Sequence, residues 1–257
     1  MIHSVMPPPA LAVFPVNGLP VIQPNDDLGH LLIEQLRALQ PQHGDVLVVT
    51  SKIISKAEDR FVNLRDVMPS AQALELSAKT RHDPRLVQVI LDESSGVSRA
   101  APHVLITRHR LGFVSANAAV DHSNTSASPD IVLLMPRDPD ASALALHTRL
   151  RAEFGVPVPV VIADSHGRPH RLGTVGVAVG VAGMPAVEDW RGREDLFGFR
   201  LQHTEIGLAD MIASTATLIM GQAAEGVPAA LVRGATFVPR NGAAAEIYRP
   251  TNMDLYG

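Results

Sequence analysis

Lysine is scarce in this sequence. Only three are present, at positions 52, 56 and 79, against 19 arginines. Two of the three fall within Ser51-Lys52-Ile53-Ile54-Ser55-Lys56. Compact ammonium charges this close together suit phosphate oxygens, and a solvated strand end is the plain alternative. A second candidate is Asn117-Ala118-Ala119-Val120-Asp121-His122-Ser123-Asn124, where carboxylate and amide oxygens could hold a hard divalent cation or simply line a connecting loop.

The third candidate is Asp164-Ser165-His166-Gly167-Arg168-Pro169-His170-Arg171, which follows the apolar run Val160-Val161-Ile162-Ala163. A carboxylate and a hydroxyl at a strand's carboxyl end, then two arginines on a Gly/Pro-shaped turn, put a metal ligand beside donors for anionic oxygens. His166 and His170 have zinc-like spacing, but Gly167 and Pro169 oppose the helix that would align the two rings. The fourth is Met220 to Pro228, in which Gln222 and Glu225 offer oxygens and the glycines allow backbone amides to approach a phosphate; as structure alone it is a cap and a turn. No phosphate-binding G-x4-GK[ST] loop, H-E-x-x-H or G-x-S-x-G pattern occurs, and Gly173, Gly176, Gly180 and Gly183 do not form a dinucleotide fingerprint.

Alternating elements must position these groups. Asp27 precedes a helical pattern from Leu28 to Leu39, and Val46 to Val49 reads as a buried strand delivering Thr50-Ser51-Lys52 at its end. Helices are expected over Ala71–Thr80 and Asp83–Asp92, the second with Pro84 in its first turn. Val104 to Thr107 and Phe113 to Ser115 read as a hairpin, Ile131 to Met135 as a strand, and Asp138 as the cap of a helix that Gly155 stops after Phe154. Val156 to Ala163 reads as an edge or late-starting strand because of Pro157 and Pro159. Thr204 is the expected cap of a helix reaching Met220, and a strand follows at Ala229 to Val232. The pattern predicts an α/β or α+β fold rather than a plain doubly wound sheet.

Five segments together carry a resemblance: GLPVI at 18–22, GDVLVVTSKIISKAE at 44–58, LGFVSANAAVDHSN at 111–124, DSHGRPHR at 164–171 and MGQAAEGVP at 220–228. From Val13 to Gly234 the chain resembles the CofE family, the coenzyme F420-0:L-glutamate ligases. The resemblance implies an intertwined mixed-sheet fold of two interleaved lobes over residues 13–257, assembled as a homodimer. It implies a GTP-dependent amide ligase that adds L-glutamate to a deazaflavin precursor through an acyl phosphate, releases GDP and phosphate, and can extend a γ-linked tail. Mg²⁺ or Mn²⁺, with K⁺, would serve as cofactors. Asp121, Asp164, Ser165 and Gln222 match the family's metal positions. GTP contacts fall on Leu19, Pro20, Val21, Ile22, Ser51, Lys52, Lys56 and Asn124, and on Met220, Gly221, Gln222, Ala223, Ala224, Glu225, Gly226 and Val227. Ser165 stands where threonine is usual, and His170 where tryptophan is usual. Local charge, rather than the resemblance, assigns Arg168 and Arg171 to acyl-phosphate oxygens or to glutamate carboxylates. The same groups could instead serve a metal-dependent nucleotide phosphohydrolase.

Composition narrows the field. The 257 residues are 46% hydrophobic, enough for a sizeable core, and only 4% aromatic, which predicts an aliphatic interior. A net charge of −4 disfavours a general grip on nucleic acid or anionic lipid, and the absence of Cys excludes a disulfide scaffold, a thiolate zinc site and a cysteine nucleophile. Residues 1–12, with Pro7-Pro8-Pro9, suit an extended arm rather than a signal helix, and cytoplasmic residence is expected. Gly173 to Val187, the longest nearly uncharged stretch, carries four glycines and falls short of the roughly 18–20 apolar residues a membrane helix needs.

Overall fold

Strands with continuous β-branched or aliphatic runs need cover on both faces, and here they occupy the middle of the largest sheet. The computed structural model describes residues 10–253. Of the predicted N-terminal arm, residues 1–9 lie outside the described residues, and Ala12 opens the first strand.

In chain order the strands are β1 (Ala12–Pro15), β2 (Val46–Thr50), β3 (Phe61–Asn63), β4 (Ser94–Ala101), β5 (Val104–His109), β6 (Val114–Ala116), β7 (Ile131–Leu133), β8 (Val160–Arg168), β9 (Arg171–Ala182), β10 (Glu188–Asp189), β11 (Glu205–Ile206) and β12 (Ala229–Arg233). The helices are α1 (Leu28–Leu36), α2 (Ser51–Ala57), α3 (Ala71–Thr80), α4 (Pro84–Asp92), α5 (Pro139–Phe154) and α6 (Leu208–Met220). The main sheet runs β1-β12-β2-β8-β9, and within it only β2 and β8 are parallel. This is the mixed α/β arrangement the pattern predicts.

One face of this sheet buries Leu47, Val49, Val160 and Ile162 against α1 and α5; the other buries Val46, Val48, Val161 and Ala178 against α6. Residues 61–134 have a core of their own, including Leu64, Leu76, Ile90, Leu105 and Val132, formed among α3, α4, the β3–β7 ribbon and the β4-β5-β6 sheet.

Four local expectations change. The residues after Thr50 form helix α2 rather than a solvated strand end: Ile53 and Ile54 bury on one side, and the Ile-Ile pair had masked the helical period. Strand β8 starts late, at Val160, but lies inside the sheet between β2 and β9, and it continues through Arg168. It continues because β9 pairs with it, Asp164 opposite Val177 and Ser165 opposite Gly176. Consequently the two arginines flank a hairpin turn at Pro169-His170 instead of following a strand end. Thr204 is not a cap; α6 begins at Leu208 with Gly207 before it, while Glu205 and Ile206 pair with Asp189 and Glu188. Strand β4 gave no sequence signal because most of its side chains are polar or small and exposed at a sheet edge.

The outer edge of β9 is closed by helix-borne side chains. Asp210 Oδ1 accepts the Ala178 N–H at 2.8 Å, and Asp140 Oδ1 accepts those of Val181 at 2.7 Å and Ala244 at 2.9 Å. Such contacts satisfy edge donors that would otherwise template pairing with another strand. They also demand close approach: a Cβ at Gly180 would stand 2.5 Å from the Pro139 carbonyl oxygen, and one at Gly176 2.8 Å from that of Ala213.

Candidate functional site

The carboxyl ends of the parallel pair β2 and β8 open into a cleft of about 540 Å³, the position where open α/β sheets leave a crevice. Strand β8, just past the end of its pairing with β2, contributes Asp164 and Ser165, and the first turn and a half of α2 contributes Lys52 and Lys56. Asp121, Ser123 and Asn124 enter from the connection between β6 and β7. Leu19, Pro20, Val21 and Ile22 form one wall, and Met220, Gly221, Gln222, Ala223, Ala224, Glu225, Gly226 and Val227 form another. Ser51 is buried behind this lining, and its hydroxyl donates to Asp164 Oδ1 at 3.1 Å. Thr50, Ser123 and Thr217 also line the cleft. Thr50 and Ser123 fall within segments singled out in the sequence, whereas Thr217 lies outside all of them, because a lone hydroxyl residue carries no spacing signal.

Helical spacing places Lys52 and Lys56 one turn apart on α2. Lys52 Nζ lies 2.6 Å from Asp121 Oδ2 and donates to the Ser123 carbonyl at 2.6 Å. Asp121 Oδ1 in turn accepts the Ser123 N–H at 2.7 Å and its hydroxyl at 2.9 Å. Burial pushes the Asp121 carboxyl up, but the Lys52 ammonium and the Ser123 donors outweigh it and hold the group below its ordinary value. Lys56 has no ion-pair partner among the described residues. Its ammonium is pushed down from its ordinary value by burial and by the like charge of Lys52. An anion entering the cleft would relieve both effects.

Backbone strain precedes Asp121. Asn117, Ala118 and Ala119 are consecutive left-handed residues with φ of 54°, 50° and 54°. A non-glycine residue in that region costs roughly 1–2 kcal/mol. Beyond this turn Asp121 exchanges backbone hydrogen bonds with Leu133, at 3.0 and 2.9 Å, so β7 fixes the height of the carboxylate.

The loops are clasped together. Asn124 Nδ2 donates to the Ala223 carbonyl at 2.6 Å, and the Thr174 hydroxyl on β9 donates to Gln222 Oε1 at 2.7 Å. Glu225 accepts the Ala223 N–H at 2.8 Å, a bond that helps hold its carboxyl below the ordinary value.

Arg168 and Arg171 do not line the cleft. Arg168 Nη2 donates to the Leu172 carbonyl of its own hairpin at 3.0 Å, and Arg171 is exposed across the turn. On the same hairpin, His166 Nε2 lies 3.0 Å from Asp164 Oδ2.

The chemistry of the donors suits a hard cation. Asp121, Asp164, Ser165 and Gln222 offer two carboxylates, a hydroxyl and an amide oxygen on one cleft wall or another. Among the described residues no three His, Cys, Asp or Glu side chains gather as a metal cage. A cation here would draw its remaining oxygens from substrate and water, as Mg²⁺ commonly does.

The family model described as F420-0:gamma-glutamyl ligase matches residues 18–234. That interval contains every segment lining the cleft. The coenzyme F420:L-glutamate ligase of Methanopyrus kandleri is 45% identical over 88% of this chain and 88% of its own length. That of Archaeoglobus fulgidus is 42% identical over 95% of each chain, and that of Methanothermobacter thermautotrophicus 38% identical over 96% of this chain and 98% of its own.

Proposed function

Because this chain belongs to the F420-0:gamma-glutamyl ligase family, we propose that it joins L-glutamate to the F420-0 deazaflavin precursor in an amide bond, driven by GTP. A carboxylate does not acylate an amine at neutral pH, so the precursor's carboxylate attacks the γ-phosphorus of GTP and GDP leaves. The glutamate amine then attacks the acyl carbon, phosphate leaves, and the amine's proton passes to solvent or to a nearby base. The observation that carries this reading is the convergence of paired lysines, two carboxylates and a glycine-flanked loop on one cleft.

The first step brings two anions together, and groups positioned beforehand must offset their repulsion. Lys56, an ammonium without a carboxylate partner among the described residues, is suited to a phosphate oxygen; Lys52 sits beside it and already holds Asp121 in place. The backbone N–H groups of the 220–227 loop and the Leu19–Ile22 wall would receive the remainder of the nucleotide. Asp121, Asp164, Ser165 and Gln222 would hold Mg²⁺ or Mn²⁺, which supplies charge neutralisation at the transferred phosphoryl group. K⁺ belongs to the proposal as a further cofactor. Arg168 and Arg171 are proposed partners of the acyl phosphate or of the glutamate carboxylates, and to reach them Arg168 must exchange its hairpin contact for the substrate. Loss of turnover in Arg168→Ala with GTP binding intact supports that role, and unchanged kinetics removes it.

A second copy of the chain is part of this proposal. The segment between β10 and β11 presents Leu196 and Phe197 at 99% and 94% exposure, apolar surface that association would cover. Light scattering of the protein and of Leu196→Ser/Phe197→Ser tests it: a dimer that dissociates on substitution supports the contact, and an unchanged mass removes it. Among the described residues no helix is long and apolar enough to cross a membrane, which is compatible with the cytoplasmic residence proposed for a biosynthetic ligase.

The decisive assay incubates the protein with F420-0, L-glutamate, GTP and Mn²⁺ and follows glutamate addition by mass spectrometry. Mass increments that require GTP and glutamate together support the proposal. GTP consumption independent of glutamate would instead make the protein a nucleotide phosphohydrolase.

A further inference from the structure

We propose that His166 is a positioning residue for the cation site: it fixes the orientation of the Asp164 carboxylate before any cation arrives. The proposal rests on the reading of Asp164 as a cation ligand given above. Alternation along β8 puts residues 164 and 166 on the same face. There His166 Nε2 lies 3.0 Å from Asp164 Oδ2, while the Ser51 hydroxyl donates to Oδ1 at 3.1 Å. A carboxylate has no hydrogen to give, so Nε2 is the donor. Each oxygen of Asp164 therefore holds one fixed donor and keeps lone pairs free on the cleft side.

The ring is held in its turn. His166 packs against Phe113 with centroids 5.3 Å apart, and Phe113 stacks on His109 at 4.7 Å with planes 6° apart and tilts against Tyr248 at 5.8 Å. Phe113 is buried in the main core although it comes from the connection between β5 and β6. The side chain of His166 is only 12% exposed and does not line the cleft, so it orients a ligand without occupying the position of one. Partners of metal ligands typically contribute about 10–100-fold to metal affinity, because a carboxylate free to rotate must be ordered at the moment of binding.

The test measures Mn²⁺ binding to the full chain by titration calorimetry, with electron spin-echo spectroscopy of the bound ion and steady-state kinetics alongside. His166→Phe keeps an aromatic ring against Phe113 but removes the donor; it is expected to weaken Mn²⁺ by about 10–100-fold while kcat at saturating Mn²⁺ stays within a few-fold of the parent. His166→Gln, whose amide can donate to the same oxygen, is expected to recover most of the affinity. Parent-like affinity in His166→Phe, or equal losses in both variants, would overturn the proposal. Nitrogen coupling from a histidine ring to bound Mn²⁺ that is lost in His166→Phe would overturn it too, by making His166 a ligand. Asp164→Asn separates the two readings. If it leaves Mn²⁺ affinity intact, the ligand reading of Asp164 fails; if it weakens binding while His166→Phe does not, only the positioning role fails.

Discussion

Two pairs of partly buried aspartates serve two regions of this protein. Asp121 and Asp164 stand on the cleft, whereas Asp140 and Asp210 close the edge of the main sheet. Burial pushes the Asp121, Asp140 and Asp210 carboxyls toward the neutral form, and the partners decide the outcome. At Asp140 and Asp210 burial prevails over the backbone N–H groups of Val181, Ala244 and Ala178, so both lie above the ordinary carboxylate value. At Asp121 the charge of Lys52 reverses the balance. The edge aspartates bond backbone amides, those of Ala178 and Val181 on β9 and that of Ala244 in a short helical turn. Lys52 is a flexible side chain, so its contact with Asp121 can be exchanged for a phosphate or a cation without breaking a strand. Asp121 also accepts the Ser123 N–H, so it is the lysine contact alone that can be exchanged.

The largest expected difference lies in activity. Asp164→Asn should fold like the parent and lose metal-dependent glutamate addition by roughly 10²-fold or more, the scale of lost charge stabilisation, whereas Asp210→Asn should retain turnover. Equal activities in the two variants would erase the distinction. Stability should separate them in the opposite sense: Asp210→Ala leaves the Ala178 N–H without its acceptor and is expected to cost about 1–3 kcal/mol in denaturant unfolding. Asp164→Ala should cost clearly less.

Titration sharpens the comparison further. Asp121 is lowered, so its contribution to stability is present above the ordinary carboxylate value and is lost as pH falls through the folded-state value. In Lys52→Met burial acts without the ammonium, and carboxyl-carbon NMR should find Asp121 moved upward. The stability lost as pH falls is then smaller, because the folded-state value lies closer to the ordinary one. An Asp121 titration unmoved by Lys52→Met would show that Ser123 alone sets it. The smallest effect is expected at the left-handed turn that feeds the cleft. Ala119→Gly removes a side chain from an unfavourable φ and should stabilise by up to about 1 kcal/mol, read as a rise in Tm. A fall in Tm would mean that the Ala119 methyl packs for more than the turn costs.

Short-range physics was legible where one or two residue types carry it. The span Ala71–Thr80 is observed as expected, Asp138 caps α5 by accepting the Ala141 N–H, and Gly155 ends that helix at φ 72°. The residues of the candidate cleft were legible as types and in their grouping along the chain. Their contacts were not: Ser51 and Asp164 are 113 positions apart, Asn124 and Ala223 are 99 apart, and no local pattern pairs them. The contact of His166 with Asp164 was hidden for another reason. The strand expected from sequence ended at Ala163, before both residues, and only pairing with β9 extends β8 far enough to set both on one face.

By itself the sequence determined the alternation of strands and helices, most caps and stops though not the cap of α6, the aliphatic core, and the family whose segments recur here in order. Those properties depend on residues within a few positions of one another, or on the order of short motifs. Tertiary structure decided that β8 is an interior strand, that Ser51 begins a helix, that Arg168 turns to its own hairpin, and which aspartate meets a lysine. Each of these depends on which distant segment supplies the hydrogen-bond partner or the neighbouring charge, and that is settled only when the sheet assembles.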